Sequence, residues 1–265
     1  MLTECRLCGS DDLTLWMRDG RHSNLDYYRC GRCTLWNYDL DCGTDQTQYT
    51  ETYVSPLDTE HKYNRDNRQS FDFLQKHAPE PGTLLDIGCG SGGLLYPARE
   101  AGWQVRGMEL SAEAANNIRE DQGFDVIVGN FLDYENPDNE QYDVVVLRHV
   151  LEHLPDSKLA MTKIGDLLKE GGLSLLEFPN TNSVSYSTKR LLKNRGLKNK
   201  KFSEDWRPGH VNEFCRESFE YLLEQTGFEL LVWRTYSNKQ FANAFYSLVP
   251  VASKARALVR KKAAA

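Results

Sequence analysis

Several things are missing from this chain. No stretch approaches the run of about eighteen apolar residues that a membrane-crossing helix needs. The opening, M-L-T-E-C-R-L-C, has no apolar signal-peptide core. Positive charge is not in excess: 32 Lys and Arg against 38 Asp and Glu leave a formal net charge of -6. A whole-protein basic field for nucleic acid is thereby excluded, although local basic patches are not. No internal repeat is present, so a repeat architecture is excluded as well. Together these absences predict a soluble, cytoplasmic protein.

In that compartment the seven cysteines stay reduced, and their spacing asks for a metal rather than disulfides. Cys5-x-x-Cys8 and Cys30-x-x-Cys33 form two knuckles of one four-thiolate zinc site. Each knuckle presents two soft ligands from a tight turn, and Gly9 and Gly31 help the turns to close. Four thiolates leave no position for water, so the site is expected to be structural. A redox C-x-x-C would precede a β-α unit, and neither pair does. Cys42 falls outside the pairing and is a spare, or an exchange candidate for one of the four.

The composition divides the chain. Residues 1–45 read as a zinc-ribbon-like domain too short to bury a core alone. Residues 46–80 read as a linker followed by a helix laid over the sheet edge and ended by Pro79 and Pro81. Residues 81–250 form the main domain, with an insertion or lid at 181–212, and 251–265 form a basic tail. Within the main domain, strands are expected over 83–87, 103–109, 124–128, 142–147 and 173–178. Helices are expected over 92–100 (bent by a proline), 111–120 (capped by Ser111), 156–169 (closed by Gly171-Gly172) and 217–226. Continuous apolar strands alternating with helices predict an α/β fold with a doubly wound, mostly parallel sheet. Segments 228–236 and 241–249 read as a closing antiparallel pair.

The stretch L-L-D-I-G-C-G-S-G-G (84–93) sits where such a fold holds its cofactor, at the end of the first strand of the main domain. Gly88, Gly90 and Gly93 satisfy the G-x-G-x-x-G spacing of dinucleotide sites. Asp86 argues the other way, because a carboxylate beside a diphosphate repels it, whereas it suits a cofactor carrying an ammonium or other positive charge. Glu109 can accept from ribose hydroxyls of either cofactor type. Asn130 and Phe131 could pair with and cover an adenine ring.

Over roughly 80–235 the chain resembles the class I S-adenosylmethionine-dependent methyltransferases. The resemblance is carried by L-L-D-I-G-C-G-S-G, G-M-E-L-S (107–111), G-N-F-L-D-Y (129–134), Y-D-V-V-V-L-R-H-V-L-E-H-L-P-D (142–156), L-L-K-E-G-G-L-S-L-L-E-F-P-N (167–180) and G-H-V-N-E-F…G-F-E (209–229). The last pattern is similar to the small-molecule branch. The N-terminal ribbon with its tyrosine-rich linker resembles bacterial members with a zinc-binding leader, several of which modify sugars or related metabolites. The resemblance implies a seven-stranded sheet ending in an antiparallel hairpin. It implies that Asp86, Gly88 and Gly90 surround the methionine part of S-adenosylmethionine and that Glu109 takes the ribose hydroxyls. It implies Asn130 at the adenine amine, Phe131 beside the ring and Arg148 near the methionine or sulfonium end. Many relatives carry Asp at the Asn130 position, and Asn still supplies an acceptor.

Methyl transfer is an in-line displacement at a sulfonium carbon. The protein must align the acceptor, exclude water and, for a hydroxyl, remove a proton. His149, His153 and His210 are the candidate bases. His149 and His153 stand four apart and would share a face if a helix begins there. In the family, E-H after the fourth strand often builds the loop, so a structural role for His153 stays open. Glu152 with His149 and His153 could gather a divalent cation, but some quinone-forming relatives carry an acid at the His149 position, and the histidine here weakens that reading. The excursion K-R-L-L-K-N-R-G-L-K-N-K-K (189–201) has seven Lys or Arg in thirteen positions. With Trp206 and Arg207 it is a candidate lid over a phosphate- or carboxylate-bearing metabolite or nucleotide-activated sugar; a solvated loop is the alternative. The tail suggests an amphipathic, frayed segment that could touch an anionic membrane surface.

The leading expectation is therefore methyl transfer to a small, anionic or sugar-type acceptor, on oxygen. A methyltransferase for nucleic acid or protein is the first alternative. Against it, the ribbon's five arginines, Arg6, Arg18, Arg21, Arg29 and Arg32, are offset by aspartates, and no nucleic acid partner is expected. A non-catalytic cofactor-binding partner subunit is the second. Oligomeric state stays open.

Overall fold

The computed structural model describes residues 2–18, 26–44, 61–78, 80–197, 207–237 and 251–263. In chain order the elements are β1 (Leu13–Arg18), β2 (Asp26–Cys30), β3 (Trp36–Tyr38), α1 (His61–Gln75), β4 (Thr83–Ile87), α2 (Leu95–Glu100), β5 (Gln104–Glu109), α3 (Ala112–Gln122), β6 (Asp125–Val128), β7 (Tyr142–Arg148), α4 (Ser157–Leu167), β8 (Leu168–Pro179), α5 (Val184–Asn194), β9 (Asn212–Glu213), α6 (Arg216–Thr226), β10 (Phe228–Tyr236) and β11 (Lys254–Lys261). One sheet has the order β1-β2-β3-β9 and the other β10-β11-β8-β7-β4-β5-β6. Around its centre the larger sheet is parallel, with β4 pairing β5 and β7, and β5 pairing β6. This is the seven-stranded α/β fold expected. The chain divides into two compact units, one of residues 1–45, 151–159 and 177–257, the other of 46–150, 160–176 and 258–265.

The second of these units follows its sequence pattern closely. Within T-L-L-D-I and Y-D-V-V-V-L-R, Leu84-Leu85 and Val144-Val145-Val146-Leu147 are consecutive buried apolar residues because parallel strands are covered on both faces. Ser111 caps α3 by accepting from the Ala114 backbone at 3.2 Å. α2 begins at Leu95, not at residue 92, so Pro97 falls in the first turn, where its missing N–H costs nothing. The expected closure of the fourth helix at Gly171-Gly172 is corrected. α4 ends at Leu167, and β8 runs through both glycines. A Cβ on Gly172 would meet the Lys169 carbonyl oxygen at 2.9 Å and that of Asp143 at 3.3 Å, so this glycine serves close backbone approach within a strand.

The first unit contains β1, β2 and β3 with the four paired cysteines, called the ribbon below for its antiparallel strands. Its antiparallel strands bury Met17, Tyr27, Trp36 and Tyr38 around Val211, a residue from far along the chain. This explains how so short a leader obtains a core. A second apolar cluster joins Phe178, Phe214, Phe219 and Trp233.

Two further expectations change, and a third lies outside the described residues. The tail is not frayed: residues 254–261 are β11, largely buried, between β10 and β8. The amphipathic surface segment, and the membrane contact built on it, go with that correction. The partner expected for β10 at 241–249 lies outside the described residues, and β11 takes the place beside β10. The first part of the basic excursion is α5, docked on β1, with the Arg190 guanidinium 3.9 Å from the centre of the Trp16 ring and Asn194 Nδ2 donating to the Trp16 carbonyl at 3.2 Å. Residues 198–206 of the excursion, and most of the linker together with Pro79, lie outside the described residues. No helix among the described residues is long and apolar enough to cross a membrane.

Candidate active site

The glycine loop follows β4. Gly88 and Gly90 have φ of +70° and +55°, left-handed values that side chains resist. A Cβ on Gly88 would meet Val150 Cγ2 at 2.4 Å, while one on Gly90 would meet no atom of the described residues within 4 Å. Glu109, at the end of β5, binds the loop directly: Oε2 accepts from Gly90 N at 2.8 Å and Oε1 from Ser111 N at 3.1 Å. Asp86 is buried at the end of β4. Asn130 caps the short turn Phe131–Asp133, its Oδ1 accepting from Leu132 N at 3.1 Å and its Nδ2 donating to Asp133 Oδ2 at 2.9 Å; Phe131 is buried behind it. Arg148, at the end of β7, donates to Asn67 Oδ1 at 2.6 Å. Asn67, from α1, is 3 % exposed, and its Nδ2 has no hydrogen-bond partner among the described residues. That atom lies 2.0 Å from where a Cβ on Gly93 would stand.

His153 and His210 meet in the other unit, their rings 4.7 Å apart and edge to face at 82°. His153 Nδ1 lies 2.8 Å from the Gly209 carbonyl oxygen, which can only accept, so Nδ1 carries the proton and Nε2 is the basic nitrogen. His210 Nδ1 lies 3.0 Å from Glu213 Oε1, which fixes the same tautomer. Tyr186 Oη donates to Glu213 Oε2 at 3.2 Å, and Tyr27 Oη donates to the His210 carbonyl at 3.1 Å. Burial pulls His153 below the ordinary histidine value, partly opposed by the charge of Glu152. Burial also pulls His210 down, but the hydrogen bond and charge of Glu213, with Glu152 behind it, outweigh this and raise it. Burial keeps Tyr27 and Tyr186 protonated, so both remain donors.

His149 is placed differently. Its φ is +57° and the following helical turn spans only Leu151–His153, so no helix face carries His149 and His153 together. The grouping of Glu152 with His149 and His153 is likewise corrected: the donor atoms of Glu152, His153 and His210 lie within 4.8 Å of one another, and His149 is not among them.

The four ribbon cysteines converge. Cys5, Cys8, Cys30 and Cys33 place their sulfurs within 4.8 Å of one another, with 3.5 Å between Cys5 and Cys33 and between Cys8 and Cys30. A zinc–sulfur bond of about 2.3 Å in a tetrahedron requires sulfurs about 3.8 Å apart, so the donor set and its size fit. Cys42 stays outside, beside the ribbon's apolar core.

Residues 59–232, more than half of the chain, match a family described as a methyltransferase domain. The chain belongs to that family. Curated relatives include the ubiquinone biosynthesis O-methyltransferase of Bradyrhizobium sp. (strain ORS 278), 34 % identical over 107 residues, which are 39 % of this chain and 42 % of that protein. The chain spans about half the length of the curated relatives it matches. Among solved structures, the PH0226 protein from Pyrococcus horikoshii OT3 aligns with a TM-score of 0.61 at 16 % identity, over 82 % of this chain and all of that one. Magnesium protoporphyrin IX methyltransferase from Synechocystis PCC 6803, with bound S-adenosylhomocysteine, aligns with a TM-score of 0.56 at 15 % identity, over 82 % of this chain and 92 % of that one. These likenesses show the fold.

The methyltransferase domain has a cofactor loop whose chemistry suits S-adenosylmethionine. The buried Nδ2 of Asn67 beside Gly93 is a donor with no acceptor among the described residues, and Arg148 next to it adds positive charge. Asp86 and Glu109 add two buried carboxylates. Asn67 escaped notice in the sequence because it sits in a polar helical stretch with no motif of its own. Glu213 lay inside G-H-V-N-E-F, and only its spacing from His210 could have pointed to it. Gly90→Ala should separate fold from binding. Its only folding cost is the left-handed φ, about 1–2 kcal/mol, whereas the added methyl narrows the loop where the cofactor backbone contact is expected. Calorimetry should show weakened S-adenosylmethionine binding with a small loss in melting temperature. Gly88→Ala, which collides with Val150, should lose far more stability.

Proposed function

We propose that this methyltransferase moves the methyl group of S-adenosylmethionine to a hydroxyl oxygen of a small molecule. The observation that carries the proposal is the His210–Glu213 pair. Glu213 holds Nδ1 and leaves Nε2 as the proton acceptor, the arrangement by which a carboxylate orients and strengthens a histidine base. A base is needed to activate a hydroxyl and is superfluous for a carboxylate. The buried carboxylates of Glu152 and Glu213 would also repel an anionic reacting atom. The relatives named ubiquinone biosynthesis O-methyltransferase agree with this reaction type.

S-adenosylmethionine, when bound, supplies the electrophilic methyl group. Asn67 and Arg148 would hold its carboxylate, Asp86 its ammonium, Glu109 its ribose and Asn130 with Phe131 its adenine. His210 would take the hydroxyl proton and Glu213 would balance the resulting imidazolium. His153 would position the acceptor beside it. His149, at φ +57° just past β7, is proposed as an acceptor contact. The acceptor itself is proposed to carry a phosphate or carboxylate remote from the reacting oxygen, a reading supported by the basic residues Lys189, Arg190, Lys193 and Arg195. We assign structural zinc to Cys5, Cys8, Cys30 and Cys33.

The test is transfer of labelled methyl from S-adenosylmethionine to a panel of phenols, sugars and carboxylic acids, with RNA and protein as competing acceptors. Base-stable label on a hydroxyl compound is expected. Label only in RNA or protein, or only in base-labile esters, would overturn the reading. Elemental analysis should give about one zinc per chain, lost in Cys5→Ser.

A further inference from the structure

The ribbon pairs directly with the strand that carries Glu213, the carboxylate that holds the proposed base. β9 is the fourth strand of the ribbon sheet, pairing antiparallel with β3 so that Trp36 faces Glu213 and Asn37 faces Asn212. Tyr38 N donates to the Val211 carbonyl at 3.0 Å. His210 and Glu213 therefore flank a segment registered by the ribbon.

Arg6 is the link between metal ligands and that segment. It stands inside the knuckle, between Cys5 and Cys8. Its backbone N–H donates to Asn37 Oδ1 at 3.1 Å, and Asn37 Nδ2 donates to Leu35 O at 3.2 Å and to Cys5 Sγ at 3.5 Å. Its guanidinium reaches Asn212 Oδ1 at 2.9 Å through Nη2 and at 3.3 Å through Nε, and also donates to the Tyr38 and Val211 carbonyls. Asn212 is fully buried and its Nδ2 donates to the Leu154 carbonyl at 2.7 Å, one residue beyond His153. The planar fork thus binds a ribbon strand, the segment between His210 and Glu213, and an amide that continues to the second histidine. A lysine has one point charge and could not do this.

We propose that Arg6 is a positioning residue and the ribbon a platform: closing the Cys5–Cys8 knuckle around its metal fixes Arg6, and Arg6 fixes the His210–Glu213 geometry. The proposal rests on the reading of His210 as the proton acceptor, and it gives the metal a role in activity without contact with substrate. Misplacement of a reacting group by about 1 Å costs on the order of a hundredfold in rate.

The test uses the full chain with labelled histidine, the His210 imidazole resonances being assigned by their loss in His210→Gln. Arg6→Lys, Arg6→Gln and Asn212→Ala are compared with wild type before and after zinc removal by a chelator, and after zinc is restored. The His210 Nδ1 proton, protected by Glu213 in wild type, should exchange faster in each variant and in the metal-free protein, and recover with zinc only in wild type. Zinc content and S-adenosylmethionine affinity should hold in the variants, while kcat falls by roughly 10–100-fold. Should Arg6→Gln lose zinc or fail to fold, Asn212→Ala, remote from the knuckle turn, decides. Unchanged His210 exchange in Asn212→Ala and in the metal-free protein would overturn the proposal. Full turnover by His210→Gln would instead overturn the role of His210 as base while leaving the ribbon's hold on it measurable.

Discussion

His210→Gln should lower kcat by about 10²–10⁴-fold, the range that general-base catalysis contributes, and leave S-adenosylmethionine binding unchanged. His153→Gln should lose less. Both rings are oriented by acceptors on Nδ1, but a carbonyl orients His153 and a carboxylate orients His210. Burial therefore weakens His153 as a base, while Glu213 and Glu152 strengthen His210 against the same burial and against Lys189. The pH profile carries the sign. A base with a raised pKa is protonated, and inactive, up to a higher pH. The acid limb of kcat/KM should thus lie above the ordinary histidine value of about 6.5. Glu213→Gln removes the dominant raising influence, so the limb should move to lower pH while the plateau falls. If His153→Gln shows the larger loss and His210→Gln keeps the acid limb, the roles are reversed.

The legible part of the molecule is the part made by local rules. T-L-L-D-I and Y-D-V-V-V-L-R announced buried parallel strands because Leu84-Leu85 and Val144-Val145-Val146-Leu147 put apolar side chains on both faces, and Ser111 announced its helix by its capping oxygen. The two C-x-x-C pairs announced a single site because thiolates at that spacing have few other uses. What stayed hidden depends on partners distant in sequence. β9 is two residues long, and nothing in N-E says that it completes a ribbon begun more than 170 residues earlier. Asn67 gained meaning only when Arg148 and Gly93 were placed against it. The histidines could be named as candidates but not ranked, since Glu213 and the Gly209 carbonyl decide their difference.

K-A-R-A-L-V-R-K was misread for the same reason, and its correction predicts a large stability effect. Charges at both ends of a short apolar stretch suggest a segment lying on a surface. In the fold Arg256 points inward from β11 to a carboxylate on β8: it pairs with Glu177, whose side chain is 1 % exposed, and stacks 4.5 Å from the centre of the Tyr236 ring. Tyr236 Oη donates to the other Glu177 oxygen at 2.9 Å. Removing one partner of a buried pair strands the other, at a cost of about 3–5 kcal/mol. Arg256→Leu should therefore lower the melting temperature by roughly 6–20 °C in a protein of this size. Arg256→Leu with Glu177→Leu should recover much of that loss, because two apolar side chains need no partner. A frayed tail would show neither effect. Equal destabilisation by the single and double variants would mean that packing of the arginine stem, and not the stranded carboxylate, holds β11 in the sheet.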